Sequence, residues 1–369
     1  MSRHKLLLPI MLIILGVSAS SKAEVVGLSS GEFRVDESGA ATYSVPINIP
    51  EGRAGVTPQV SLNYSSNNLQ DGPVGIGWSV GGISAVSRCP QTPINDNAIT
   101  GVNFTSSDRF CLDGQRLILL AGTYGAPYST YIKEIDDFSI VTAMGGSQAN
   151  GPSYFEVKTK AGETYYYGNP GLTGLVSTNQ ADAFVEPSNK TGMAKTWAVK
   201  VIKDIKDNYI LFNYNNSKTN GTFYIDSIQY SAKLGDSTAF NKVKFVYEDY
   251  GKGFLGYQAG AIAKHNKILK RIDSSVDGSN YRSYFLNYEN SNFIEERTLL
   301  TSVQECPDND TDFGNCLPKT TFGWQRPNLS SSSMQYLCKS EPAGPDFCHD
   351  VPTSTDFKPF ENPTSVASG

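Results

Sequence analysis

The feature that most limits the fold of this chain is a succession of short segments in which apolar and polar residues alternate. This two-residue period places side chains on opposite faces of a β-strand, and the glycine, proline, asparagine and aspartate residues between the segments favour turns. The clearest segments are residues 43–49, 59–64, 154–159, 164–167, 210–214 and 243–247. We therefore predict an all-β protein of successive antiparallel hairpins, which form a curved sheet or partial shell.

One stretch departs from this pattern. In residues 260–270, Ile262, Ile268 and Leu269 can share one face of a helix, so a short helix is predicted there.

The second half of the chain repeats one arrangement. A strand with an aromatic end is followed by a loop and an apolar strand in three places: residues 211–214 with 225–230, 245–247 with 268–272, and 285–288 with 299–303. The tyrosines that end the three aromatic strands are separated by 33 and then 41 residues. This irregular spacing predicts a degenerate array of hairpins, in which each unit buries its faces only against its neighbours.

The amino terminus has the features of an export signal. A basic start and an apolar run occupy residues 3–17, and Ser21 and Ala23 place small residues three and one positions before Glu24. This arrangement predicts a signal peptide over residues 1–23. The apolar run is too short to cross a bilayer, and no later stretch approaches the roughly 20 apolar residues of a membrane helix. We expect a protein that is secreted through the periplasm and has no membrane span.

The charge balance argues against nucleic acid as a partner. The 369 residues include 31 basic and 36 acidic ones. Without Arg3, Lys5 and Lys22 of the predicted leader, 28 basic residues remain against the same 36 acidic ones, a net charge of about −8. Nucleic-acid surfaces need clustered lysine and arginine, and the sequence has no such cluster.

Six cysteines follow the predicted leader, and an even number in an exported chain predicts disulfides. The last four form two pairs with the same spacing of ten residues, which indicates two local bridges and leaves the first two as a third pair. The predicted bridges are Cys89–Cys111, Cys306–Cys316 and Cys338–Cys348. The alternative is a metal site that combines thiols with His349, but the close C-x2-C pairs of zinc modules are absent.

Groups suited to acid/base catalysis are scarce. Outside the predicted leader only His265, in a polar stretch, and His349, in a tail rich in serine and proline, are present. The adjacent carboxylates at 136–137 and 295–296 point to opposite faces if they lie in strands, so they cannot act as a pair. We predict no catalytic residues, no cofactor and no enzymatic activity.

Asp308, Asp310 and Asp312 alternate as the ligands of a calcium loop do. The match is partial, because Gly314 falls one position late for an EF-hand and Lys319 stands where the bidentate glutamate belongs. A solvated turn closed by a disulfide is the preferred interpretation, and a calcium site is the alternative.

Residues 72–78 (GPVGIGW) are rich in glycine. A phosphate-binding loop needs a lysine followed by serine or threonine, with a helix behind it, and neither feature is present. Gly75 and Gly77 are instead predicted to let the backbone pass close to Trp78, whose apolar surface anchors a turn in the core.

The amino-terminal half carries a long ordered series of glycine-rich and aromatic motifs. They are residues 31–35 (GEFRV), 39–47 (GAATYSVPI), 50–58 (PEGRAGVTP), 62–66 (LNYSS), 75–83 (GIGWSVGGI), 88–90 (RCP), 108–117 (DRFCLDGQRL) and 134–138 (EIDDF). In this order they resemble the amino-terminal domain of the Salmonella plasmid-virulence B protein family. The hairpin array up to Trp324 resembles Rhs/YD-repeat proteins more loosely, so the resemblance covers residues 28–326.

The resemblance implies a scaffold. In insecticidal toxin complexes this domain begins the B subunit, whose strands form part of a hollow shell around a toxic carboxy-terminal fragment. The ADP-ribosyltransferase of the Salmonella system is also carboxy-terminal, and nothing in this sequence resembles it. The expected organisation is a signal peptide at 1–23, a virulence-B-type β domain at 24–190, an Rhs/YD-like hairpin region at 191–326 and a disordered tail at 327–369.

We therefore expect a secreted, non-catalytic scaffold that acts in toxin encapsulation or delivery with a protein partner of Rhs or toxin-complex type. The alternative is a carbohydrate-binding or adhesion module, which would need tryptophans such as Trp197 and Trp324 to be exposed together. Propeller repeats and a long YD array follow this domain in the proteins it resembles. A truncated family member, a stand-alone partner and a piece of a longer protein therefore remain open.

Overall fold

The computed structural model describes residues 29–177, 179–258, 260–290, 297–307, 313–324, 334–339 and 347–352. This part is built mainly of antiparallel strands, and its α-helix α1 has only four residues, Pro93–Asp96. One compact unit extends to Phe322 and a second begins at Gly323. None of the helices in the described ranges has the length and apolar character needed to span a membrane.

The first unit opens with a four-stranded antiparallel sheet in chain order. Its strands are β1 (Glu32–Val35), β2 (Ala41–Pro46), β3 (Ser61–Ser65) and β4 (Trp78–Gly81). Val45 and Leu62 face each other in the register of β2 and β3, and both are fully buried. We call this element the amino-terminal sheet.

Eight further strands close into a barrel. They are β5 (Ala85–Cys89), β6 (Arg109–Leu112), β7 (Gln115–Ala121), β8 (Thr130–Lys133), β9 (Ile140–Met144), β10 (Tyr154–Lys158), β11 (Thr164–Gly168) and β13 (Thr196–Lys203), with β12 (Phe184–Val185) beside β13. Strands β5 to β11 pair in chain order. The ring closes because the first part of β13 pairs with β5 and its second part pairs with β11.

Aromatic side chains fill the barrel core. An eight-stranded barrel has an interior just wide enough to be filled by side chains. The rings of Phe110, Phe155 and Trp197 meet edge to face, with centroids 5.1–5.4 Å apart. Each such pair adds about 0.5–1.5 kcal/mol beyond the burial of its surface.

The barrel continues directly into a hairpin array. Its strands after β13 are β14 (Asn208–Ser217), β15 (Thr222–Lys233), β16 (Asn241–Gln258), β17 (Ala261–Val276), β18 (Ser279–Asn290), β19 (Thr298–Cys306) and β20 (Thr320–Thr321). They pair in chain order, each antiparallel to the next. The three strand pairs expected from the repeated arrangement are confirmed as the hairpins β14–β15, β16–β17 and β18–β19.

The tyrosine that ends each repeated motif marks a β-bulge. The register shifts directly before Tyr214, Tyr247 and Tyr288. The hydroxyl of Tyr214 donates to the carbonyl of Val199, and that of Tyr288 donates to the carbonyl of Leu269. Burial raises the pKa of both hydroxyls far above the usual range, so they remain protonated donors. In these two motifs the tyrosine thus connects its hairpin to the preceding strand.

The predicted all-β class and succession of antiparallel hairpins are confirmed, and the predicted curvature reaches full closure in the barrel. The helix predicted at residues 260–270 is wrong, because these residues belong to the strand β17. Ile268 and Leu269 are adjacent and both buried, which requires cover on both faces of a strand. Other segments of the same chain cover both faces of β17, and this tertiary packing outweighs the weak helical pattern of the sequence.

The second unit contains one described hairpin, formed by β21 (Met334–Lys339) and β22 (Phe347–Pro352). Its backbone register places Cys338 opposite Cys348, as a bridge between them requires. The two side chains lie outside the described residues, as do the signal peptide predicted at 1–23 and the rest of the predicted tail.

The bulge tyrosines give a first test. Replacing Tyr214 by phenylalanine leaves the buried carbonyl of Val199 without this donor, so we expect Tyr214→Phe to lower the free energy of unfolding by about 1–3 kcal/mol. Tyr281 is 40% exposed, and Tyr281→Phe should change it by less than about 0.5 kcal/mol. Urea unfolding measures both variants, and equal stabilities would contradict the fastening role.

Candidate functional site

A segment after β2 runs across the hairpin array and ties it to the amino-terminal sheet. We call residues 48–53 the crossing segment. Its main-chain groups bond to side chains of β15, β16 and β18. The bonds are Asn48 N–H to Tyr284 Oη (2.9 Å), Tyr230 O–H to the Pro50 carbonyl (2.7 Å), Asn241 Nδ2–H to the Glu51 carbonyl (2.9 Å) and Arg53 N–H to Ser231 Oγ (3.1 Å). The amino-terminal sheet is thereby held against three strands that follow it by about 180 residues or more.

A second segment inserts between β17 and β19. We call residues 69–76 the wedge. The carbonyl of Pro73 accepts from the N–H of Leu269 (2.7 Å), and the N–H of Ile76 donates to the carbonyl of Thr298 (2.9 Å). Gly75 has φ +86°, and a Cβ on it would lie 2.8 Å from the carbonyl oxygen of Thr298. Only glycine meets both conditions, since the position combines left-handed backbone with close contact to another main chain.

Gly77 and Trp78 continue this contact into the core. Gly77 has φ +80°, and a Cβ there would lie 2.4 Å from the ring of Tyr64. Trp78 is 3% exposed and packs against Tyr64 and Phe322, with ring centroids 5.5 and 4.7 Å away. Gly77 therefore stands where the backbone passes close to the aromatic cluster around Trp78, whereas Gly75 passes close to the main chain of Thr298.

An arginine lies buried in the barrel. Arg88 Nη1 is 3.2 Å from Asp108 Oδ2, and both side chains are almost completely shielded from solvent. Arg88 also donates to the carbonyls of Ala194 (2.8 Å) and Asn150 (2.7 Å), and its guanidinium lies 5.6 Å from the ring centroid of Trp197. Burial lowers the pKa of Arg88, and the negative charge of Asp108 opposes this shift. The pair joins β5, two loops and the start of β13.

Arg88 was missed from the sequence, although a signal for it exists. In β5, Val86 and Arg88 fall on the same face, and both are buried. An arginine at an inward position of an alternating strand predicts a buried ion pair, since an unpaired charge there is very costly.

Two of the predicted disulfides are present. Cys89 is bonded to Cys111, which joins β5 to β6, and Cys306 is bonded to Cys316 at the end of β19. Asp308, Asp310 and Asp312 lie outside the described residues, so the calcium alternative remains a prediction. Among the side chains that the structure does describe, no three metal-binding groups come together.

His265 lies on β17, opposite Phe254 of β16. Burial lowers the pKa of His265, Lys195 lowers it further, and Asp71 opposes both effects. Within the described ranges no hydrogen bond or ion pair joins His265 to a carboxylate, so the structure assembles no base–carboxylate pair there. The side chain of His349 lies outside those ranges.

The tryptophans do not form an exposed platform. Trp197 is fully buried and Trp78 is nearly so, both in clusters of protein aromatics. The carbohydrate-binding alternative needed Trp197 and Trp324 to be exposed together, and this pair is not formed, because Trp197 is fully buried while Trp324 is partly exposed.

A cleft of about 930 Å³ separates the amino-terminal sheet from strands β11, β13 and β14. Its floor is an apolar face of these strands that includes Ile202, Ile210 and Phe212. The opposite face of the same strands buries Val201 and Leu211 in the core. The cleft is thus the space left between two faces that approach each other without complete contact.

These features define an all-β protein in which a closed barrel is extended by a hairpin array and connected to an amino-terminal sheet. The sequence matches the family described as Salmonella virulence plasmid 65kDa B protein over residues 35–251, which is more than half of the chain. The chain belongs to this family. No curated protein matches it.

Solved structures share the fold at low sequence identity. The crystal structure of TcdB2-TccC3 aligns with a TM-score of 0.61 and 14% identity, over 89% of this chain and 18% of that one. The N-terminal domain of effector protein SpvB from Salmonella typhimurium strain LT2 aligns with a TM-score of 0.53 and 15% identity, over 71% of this chain and 98% of that one. A Tc holotoxin pore from Photorhabdus luminescens aligns with a TM-score of 0.61 and 14% identity, over 87% and 17%. The chain therefore spans less than a fifth of the toxin-complex chains it matches.

The wedge can be tested at Gly75. Gly75→Ala adds a methyl group against the main chain of Thr298, so we expect it to cost about 1–3 kcal/mol more free energy of unfolding than Gly39→Ala. Gly39 is the matched control because it has φ +82° and nothing within 4 Å of an added Cβ. Equal losses in the free energy of unfolding, measured with urea, would show that the close contact between Gly75 and Thr298 does not contribute to stability.

The buried arginine can be tested by Arg88→Met, which leaves Asp108 buried without its cation. We expect a loss of about 3–5 kcal/mol in the free energy of unfolding, because removal of one partner leaves the other charge buried and unpaired. Arg34→Met is the control, since Arg34 is 72% exposed and pairs with Glu32 at the surface. That control should cost less than about 1 kcal/mol. Similar unfolding midpoints for the two variants would contradict the structural role.

Proposed function

We propose that this chain is a secreted, non-catalytic scaffold that contributes a β wall to an assembly of toxin-complex type. The observation that carries the proposal is that the crossing segment and the wedge connect the amino-terminal sheet to the hairpin array by hydrogen bonds. The two segments overlap the motifs of the family at residues 50–53 and 75–76, and they connect the amino-terminal sheet to the hairpin array. A wall of this kind needs a rigid fold, and it does not need catalytic groups.

Three further observations support the proposal. The chain belongs to the virulence B protein family, and it shares the fold of chains in TcdB2-TccC3 structures. The buried polar groups of the barrel bond to one another and to main-chain carbonyls, which is an arrangement that stabilises a fold. The leader predicted at residues 1–23 and the two disulfides suit an exported protein. The structural neighbours include TcdB2-TccC3 and a Tc holotoxin pore, so a partner of Rhs or toxin-complex type is proposed here.

Coexpression tests the proposal. The chain without its predicted leader is produced with an Rhs-type protein encoded by a neighbouring gene, and the mixture is analysed by size-exclusion chromatography with light scattering. We expect a complex of fixed stoichiometry in which the passenger segment of the partner resists trypsin. The partner alone is the control, and its passenger should be cleaved.

Two results would contradict the proposal. One is separate elution of both proteins at concentrations of about 10 μM, well above the dissociation constants of specific assemblies. The other is substrate turnover by the purified chain that persists through further purification.

A further inference from the structure

The cleft between the amino-terminal sheet and the barrel presents an apolar and a polar surface. Its floor is apolar: Ile202 is partly exposed there, and Ile210 and Phe212, which are almost fully buried, add only narrow patches. Its opposite wall carries the amide and hydroxyl side chains of Gln59, Asn63 and Ser79. Such groups donate to and accept from peptide bonds, whereas the floor suits apolar side chains. The volume of about 930 Å³ falls within the range of ligand sites.

The charged side chains that line the cleft are acidic. Asp113 and Glu163 both line it, and within the described part of the chain no lysine, arginine or histidine does so. Asp113 accepts from Ser84 Oγ (2.6 Å) and from the N–H of Ala85 (2.9 Å), so its carboxylate is fixed in place. Glu163 accepts a longer bond of 3.3 Å from the hydroxyl of Tyr165. Burial and then the charge of Glu163 raise the pKa of Tyr165 to about 12, which keeps that hydroxyl protonated as a donor.

We propose that this cleft binds an extended peptide segment of a protein partner in which lysine or arginine alternates with apolar residues. An extended segment places alternate side chains on opposite sides. Its apolar side chains can therefore lie on the floor while its basic ones face the carboxylates, and its main chain meets the polar wall. A small apolar ligand would leave the carboxylates unused, and a small polyamine would leave the floor and the polar wall unused. The proposal stands apart from the scaffold function, because binding is measured on this chain alone.

The test uses the chain without its predicted leader and a fluorescein-labelled decapeptide that alternates lysine with valine, followed by fluorescence anisotropy. A decapeptide that alternates glutamate with valine is the charge-reversed probe. We expect the lysine peptide to bind at least tenfold more tightly than the glutamate peptide. Unlabelled spermine, which carries positive charge on short methylene chains and has no peptide groups or branched apolar side chains, should displace the lysine peptide only at a concentration at least tenfold above that of the unlabelled lysine peptide.

Two pairs of variants locate the binding. Glu163→Gln removes one negative charge and keeps an acceptor for Tyr165, so it should weaken binding of the lysine peptide about threefold to tenfold. Glu37→Gln removes the same charge at an exposed turn and should leave binding unchanged. Gln59→Trp fills the cleft and should abolish binding, whereas Gln148→Trp adds the same side chain at an exposed turn that does not line the cleft and should not.

Two results would overturn the proposal. Equal binding by Glu163→Gln and Glu37→Gln would assign the affinity to the overall negative charge of the chain and overturn the proposal. Spermine that competes as well as the unlabelled peptide would also overturn it, in favour of a polyamine site. If Gln59→Trp fails to fold by its urea midpoint, the glutamate pair still decides the question. Coexpression with an Rhs-type partner can succeed or fail independently of these results.

Discussion

Strand β13 is hydrogen-bonded along both edges, and the two main parts of the fold depend on it. Its first residues lie between β5 and β12, and its later residues lie between β11 and β14. The barrel closes where β13 pairs with β5 and with β11, and the hairpin array starts where its later residues pair with β14. A strand shared in this way cannot shift register without disturbing both parts, since a slip of one residue would turn every side chain to the opposite face.

A bulge on β13 is stabilised by a buried ion pair. Tyr166 and Tyr167 pair with Val201 and Val199, so Lys200 is the extra residue of the bulge. Its ammonium lies 2.7 Å from Asp182 Oδ1 and donates to the carbonyl of Phe212 (2.7 Å). Burial lowers the pKa of Lys200, and the charge of Asp182 opposes that shift. A buried charge is tolerated only with such partners, so the pair fixes where the barrel ends and the array begins.

The polar groups of this protein are used mainly to connect elements that are distant in sequence. Tyrosine hydroxyls bond hairpins to the preceding strands, and the crossing segment bonds to side chains of the array. Arg88 bonds to loops beside the barrel core. Contacts of this kind connect the barrel, the hairpin array and the amino-terminal sheet, and the proposed scaffold function depends on such connections. The cleft beside Glu163 is different, since its lining combines an apolar floor with carboxylates and leaves space for a ligand.

Several features could be predicted from the sequence because they depend on local patterns. Alternation determined the strands, the aromatic endings located the three array hairpins, and spacing paired Cys306 with Cys316. The glycines near Trp78 were predicted to allow a close backbone approach, and Gly75 meets the main chain of Thr298. The helix expected at residues 260–270 failed for the opposite reason, since a weak local pattern there yields to pairing with β16 and to the wedge.

The tertiary structure alone decided what depends on distant contacts. Closure of the barrel pairs β5 with β13 across more than 100 residues, and no local signal encodes that pairing. The burial of Trp197 and the cleft beside Glu163 likewise depend on which faces meet. The sequence by itself determined the strands and their inward faces, because side-chain period is a property of the backbone. Which strands became neighbours depended on the free energy of packing the whole chain, which no short segment contains.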